Sequence, residues 1–155
     1  MDDRTLMETA VQAREYSYSP YSNFRVGAAL LCADGSVYTG CNMENAAFTP
    51  GICAERTAIY KAVSEGKRNF LAIAIAGGPA AAGSGELSLT APCGVCRQVM
   101  REFCDPETFR IILGTGGEDL QSWLLKDLLP LSFGPENLAS GREPGEKKEK
   151  EVPGA

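Results

Sequence analysis

The chain has 155 residues, 44% hydrophobic and 23% charged, a size and balance suited to one globular domain with a full core. Its net charge of −5 and pI of about 4.8 argue against binding a nucleic-acid backbone, and no apolar run approaches the ~20 residues that cross a bilayer. Six cysteines without an opening hydrophobic leader suggest a reducing, cytoplasmic setting in which thiols stay free of disulfides.

Leu6, Ala10 and Ala13, with Met7 and Val11 beside them, recur at helical spacing and predict a first helix that ends by Ser19-Pro20. Residues 26–32 and 37–41 are apolar, β-leaning runs on either side of Ala33-Asp34-Gly35-Ser36, whose Asp-Gly pair suits a tight turn between antiparallel strands. The stretch 53–65 carries Ala58, Ile59, Ala62 and Val63 on one helical face and stops at Gly66. An almost continuous apolar run over 70–76 reads as a central strand covered on both faces, and 109–113 reads the same way. Between them, 93–103 spaces Val99, Met100 and Phe103 for a helix that faces inward. Strand, helix and strand in that order imply a right-handed parallel crossover. Residues 120–123 predict a short fifth strand, followed by a brief helix ending near Pro130. The Gly/Ala-rich stretch 77–89 reads as loose, and the polar residues 139–155, whose charges nearly cancel, read as a disordered tail. The expected architecture is one α/β domain over 1–138, a three-layer α/β/α sandwich around a mixed five-stranded sheet.

The chemistry concentrates in Cys53-Ala54-Glu55 and Pro92-Cys93-Gly94-Val95-Cys96. Thiolates suit zinc, and a catalytic zinc takes three protein ligands with a fourth position left for water. Cys53, Cys93 and Cys96 supply the three, and Glu55 is placed to carry the proton that hydrolysis must move. Three thiolates leave a net negative centre, which two helix N-termini and Arg56 would offset. Two other readings use the same cysteines. A structural zinc knuckle would recruit Cys32, Cys41 or Cys104 as a fourth ligand, and a redox pair would use Cys93 and Cys96 alone. The first half of the pattern, Cys-Ala-Glu, lacks the second C-x-x-C of a knuckle, and the redox reading gives Cys53 and Glu55 no task.

Cys-x-Glu followed by Pro-Cys-x-x-Cys resembles the signature of the zinc-dependent nucleoside and nucleobase deaminases, and the match is closest to the small homotetrameric cytidine deaminases. It runs in order through Phe24-Arg25-Val26-Gly27-Ala28-Ala29-Leu30, Gly40-Cys41-Asn42-Met43-Glu44-Asn45-Ala46, Cys53-Ala54-Glu55-Arg56-Thr57-Ala58, Pro92-Cys93-Gly94-Val95-Cys96-Arg97-Gln98, Leu128-Leu129-Pro130 and Phe133-Gly134-Pro135. The resemblance implies one zinc ion per subunit and hydrolysis of cytidine or deoxycytidine to uridine or deoxyuridine and ammonia. It implies that Asn42 and Glu44 bind ribose hydroxyls, that Phe24 packs against the nucleoside and that the Ala54 backbone contacts the pyrimidine. It also implies that Phe133, with Ala46 and Phe48, contributes across subunits of a homotetramer. Phe48 departs from the family pattern, where tyrosine is common. A zinc protein that binds nucleosides without turnover, an aminonucleoside antibiotic as substrate, and cytosine in single-stranded nucleic acid are the competing readings. The carboxylate of Glu44 at the sugar end would repel a nearby phosphate, which favours a free nucleoside.

Overall fold

The computed structural model describes residues 1–138; the tail expected over 139–155 lies outside the described residues. A first helix, α1 (Asp3–Ala13), is capped by Asp2, whose carboxylate accepts from the Thr5 N–H at 2.8 Å, and passes into a 3-10 turn over Arg14–Tyr16. Then follow β1 (Phe24–Cys32), β2 (Val37–Cys41), α2 (Ala54–Ser64), β3 (Phe70–Pro79), α3 (Gly94–Phe103), β4 (Arg110–Leu113), β5 (Gln121–Leu124) and the single turn α4 (Leu125–Leu128). The strands form one sheet in the order β2-β1-β3-β4-β5. β3 and β4 run parallel, as the strand–helix–strand pattern requires, and every other neighbouring pair is antiparallel.

Alternation along the central strands divides the core into two. Ala28, Leu30, Ile73, Ile75 and Ile111 face α2 and α3, where they meet Ala58, Ile59, Ala62 and Met100. Ala29, Ala72, Ala74, Ala76 and Ile112 face the other way, against Leu6, Met7 and Ala10 of α1. The three layers are therefore α1, the sheet, and α2 with α3. Small alanines line the α1 side and larger aliphatics the other, so one helix packs closely where two need filler between them.

The stretch 77–89 is more ordered than its composition suggests. β3 continues to Pro79 because β1 pairs with it that far, up to Phe24↔Pro79. The guanidinium of Arg14, only 2% exposed, gathers the carbonyls of Arg25, Gly78, Pro79 and Ala82. Ser88 bridges back to Gly77, Leu87 is buried, and a Cβ on Gly77 would lie 2.5 Å from the Thr90 hydroxyl. These glycines permit close approach and do not mark flexibility.

Candidate metal centre and active site

Short backbone bridges assemble one wall of the site. Met43 pairs in parallel with Tyr18 and antiparallel with Ile52, and Met43 and Ile52 exchange both N–H···O bonds, at 3.0 and 2.9 Å. The polar pair Asn42 and Glu44 is thus tied on one side to the turn after α1 and on the other to the residue before Cys53. α2 then starts against β2 at close range, since a Cβ on Gly40 would lie 2.4 Å from the Ala54 carbonyl and 2.6 Å from the Ala58 nitrogen.

Cys53 and Cys93 are the N-cap residues of α2 and α3, each in extended backbone, and Cys96 sits in the first turn of α3. The two helices therefore turn their positive ends toward the same point. The Cys53 and Cys93 sulfurs are 3.8 Å apart, and all three sulfurs lie within 4.8 Å of one another. Thiolates about 2.3 Å from a tetrahedral zinc stand roughly 3.8 Å apart, so the cluster fits a zinc ion. Cys32, Cys41 and Cys104 do not join it; Cys32 and Cys104 are buried in the core between the sheet and α2 and α3. A four-cysteine knuckle is not formed among the described residues.

The charge of the cluster is shared unevenly among its groups. The Cys53 thiol is held down to about 5 by its hydrogen bond with Cys96 and by Arg56, whose Nη2 donates to the sulfur at 3.6 Å. Cys96 is pushed up by that same contact with Cys53, by burial and by Glu55. Arg56 is raised chiefly by Cys53, which fixes it as a cation. Glu55, in the first turn of α2 and 4% exposed, accepts from the Cys96 sulfur at 3.2 Å, and burial raises its carboxyl above the usual range. A buried carboxyl that holds a proton more readily than an exposed one is suited to proton transfer.

The cluster opens onto a cavity of about 660 Å³. Cys53, Ala54, Glu55 and Cys93 line it, as do Asn42, Glu44, Ala46 and Phe48, the last fully exposed. Glu44 Oε1 accepts from the Tyr21 and Ser22 N–H groups at 3.0 and 3.1 Å, and the Ser22 hydroxyl and N–H hold the carboxyl below its usual range. Asn42 bonds the β1 backbone at Phe24 and Val26. Phe24 begins β1, half-buried, and is not among the lining residues. Phe133 is 58% exposed and also absent from the lining of its own chain's cavity; the Gln98 amide holds its carbonyl at 2.9 Å. The sequence does not single out Tyr21, Gly51, Ile52, Thr90 and Ala91, which also line the cavity. Thr90-Ala91 directly precede Pro92-Cys93, a usable signal, whereas nothing in the Ser19–Asn23 stretch advertises a carboxylate's partner.

Comparison with known proteins comes to the same family. Residues 1–112 match the profile described as the cytidine and deoxycytidylate deaminase zinc-binding region. A cytidine deaminase of Halalkalibacterium halodurans is 46% identical over 138 residues, covering 89% of this chain and 98% of that protein. One from Sporosarcina psychrophila is 44% identical over 92% of this chain and 99% of its own. The crystal structure of cytidine deaminase from Burkholderia pseudomallei superposes with a TM-score of 0.76 at 44% identity, over 86% of this chain and all of that one. With its paired helix N-termini, three clustered cysteines and adjoining glutamate, the chain belongs to the cytidine and deoxycytidylate deaminase family.

Proposed function

We propose that the protein hydrolyses cytidine, and deoxycytidine, to uridine or deoxyuridine and ammonia, serving pyrimidine salvage in the cytoplasm. The observation that carries this reading is the placement of Glu55, buried and 3.2 Å from the Cys96 sulfur, in a cavity whose wall also presents Asn42 and Glu44. Cys53, Cys93 and Cys96 would hold one zinc ion, which when bound supplies the Lewis acidity that brings water's ionisation into the neutral range. Glu55 takes one proton from the attacking water and passes it to the ring nitrogen, then takes the remaining proton of the newly added hydroxyl and passes it to the departing amine as the carbonyl forms. Water's oxygen bonds to the amino-bearing ring carbon, the carbon–nitrogen bond breaks, and ammonia leaves. Arg56 steadies the Cys53 thiolate, the Ala54 backbone meets the pyrimidine, and Asn42 and Glu44 take the sugar hydroxyls.

The acidic surface and the Glu44 carboxylate favour a free nucleoside over a nucleotide or polynucleotide. No helix among the described residues is long and apolar enough to cross a membrane. A homotetramer would bring Phe133, Ala46 and Phe48 to a neighbour's cavity, with Phe24 packing nearby. The test is the fall in absorbance of cytidine in its cytosine band, with and without prior removal of zinc. Zinc-dependent loss of absorbance is the expected result. A folded, zinc-loaded sample that leaves cytidine and deoxycytidine untouched, or prefers a polynucleotide, would overturn it.

A further inference from the structure

The Asn42 side chain has little freedom left. Its Oδ1 accepts from the Val26 N–H at 2.8 Å and from the Ser17 hydroxyl, while its Nδ2 donates to the Phe24 carbonyl at 2.9 Å. A backbone N–H only donates and a carbonyl only accepts, so Val26 and Phe24 permit one amide orientation. Oδ1 has two lone pairs, and Ser17 occupies the second. What Asn42 still offers the cavity it lines is one N–H. Glu44, on the same wall, spends Oε1 on the Tyr21 and Ser22 N–H groups and retains Oε2 as an acceptor. A donor and an acceptor lining the same cavity can both be satisfied by a hydroxyl, which accepts from one and donates to the other.

We infer that Ser17 is a positioning and specificity-determining residue: by saturating the Asn42 carbonyl oxygen it leaves Asn42 as a pure donor lining the same cavity as Glu44, so the wall selects a hydroxyl-bearing sugar. The inference rests on the proposed nucleoside deamination. Ser17 lies on the turn after α1, is half-buried, and is held by its own N–H to the Arg14 carbonyl at 3.1 Å, so it bears on the wall without lining the cavity. Removing its hydroxyl leaves Oδ1 with the Val26 N–H as its partner and loosens the amide, so the remaining N–H is held less firmly for the sugar hydroxyl and the selection blurs. A residue that only braced the fold would affect all nucleosides alike.

The experiment measures kcat and KM of the zinc-loaded full chain with cytidine and with 2′,3′-dideoxycytidine, for the natural protein, Ser17→Ala and Ser17→Thr. The natural protein should favour cytidine in kcat/KM by at least about tenfold. Ser17→Ala should shrink that preference roughly three- to tenfold, the worth of one hydrogen bond, mainly by raising KM for cytidine. Ser17→Thr, which keeps the hydroxyl, should retain the preference. An undiminished preference in Ser17→Ala, or an equal fall for both nucleosides, would overturn the inference. So would a natural protein that turns over both equally well, which would leave the deaminase reading intact. Failure of the natural protein to bind or convert either nucleoside would instead remove the deaminase reading itself.

Discussion

Glu55 combines features that rarely coexist in a carboxylate: it is 4% exposed, lies in the first turn of a helix, and contacts a thiol of the three-cysteine cluster. If it carries the protons, Glu55→Gln keeps shape and burial but removes the titrating oxygen. Zinc content and unfolding temperature should stay close to those of the natural protein while kcat falls by at least about a hundredfold. Turnover within a few-fold of the original would assign proton transfer elsewhere. Arg56 makes a separate prediction through its 3.6 Å contact with the Cys53 sulfur. Arg56→Gln should weaken zinc retention by about ten- to a hundredfold in chelator competition, because the thiolate loses its cationic partner; unchanged retention would reduce Arg56 to a surface cation. The clustering of the three cysteines with Glu55 was legible because ligand chemistry restricts residue type and spacing. The partners of Asn42 and Glu44 were not, since a backbone N–H at Tyr21 or a hydroxyl at Ser17 leaves no mark in the sequence until the chain has folded.

At the scale of elements, catalytic geometry depends on where α2 and α3 begin, and the sequence marks those starts well. Cys53 and Cys93 belong to the cluster able to hold a metal ion and are also the N-caps of α2 and α3, so the motif fixes the helix boundary as well. The hairpin turn and the two-faced central strands were equally readable from the Asp34-Gly35 pair and the apolar run over 70–76. The extent of β3 was not, because Gly77 and Gly78 read as breakers while their true role is close packing, supported by Arg14 from a distant helix end. The contact that sets the height of α2 over the sheet is at Gly40. Gly40→Ala would push a methyl group into the Ala54 carbonyl and the Ala58 nitrogen, both backbone atoms that cannot step aside. The expected cost is about 1 to 3 kcal/mol in urea unfolding, with weaker zinc retention because Cys53 moves with its helix. A Gly40→Ala protein with natural stability and zinc content would show that α2 has slack the packing does not suggest.

Taken whole, the molecule presents apolar groups that its own core does not use. Leu131 is fully exposed with a left-handed φ of 51°, Phe133 is 58% exposed, and Phe48, which lines the cavity, is fully exposed. The segment carrying Phe133 is nevertheless held in place. Arg97 donates to the Leu128 carbonyl at 2.6 Å, Gln98 to the Phe133 carbonyl, and Arg101, 5% exposed, to the Ser132 hydroxyl at 2.8 Å. A rigid mount for an outward-facing aromatic costs chain entropy that only a contact beyond the chain returns. The proposed homotetramer would provide that contact, with each Phe133 entering a neighbour's cavity. Sedimentation should then give the mass of four chains at working concentration, and Phe133→Ala should weaken nucleoside binding by about 1 to 3 kcal/mol, as expected for loss of a ring stacked on a base. Thermal stability discriminates further. A ring that sealed only its own subunit would, on truncation, lower the unfolding temperature and leave KM alone. A ring that serves the neighbour's site would raise KM in an assembly that remains folded, and diluting the protein below its assembly threshold should reproduce that loss in the natural chain.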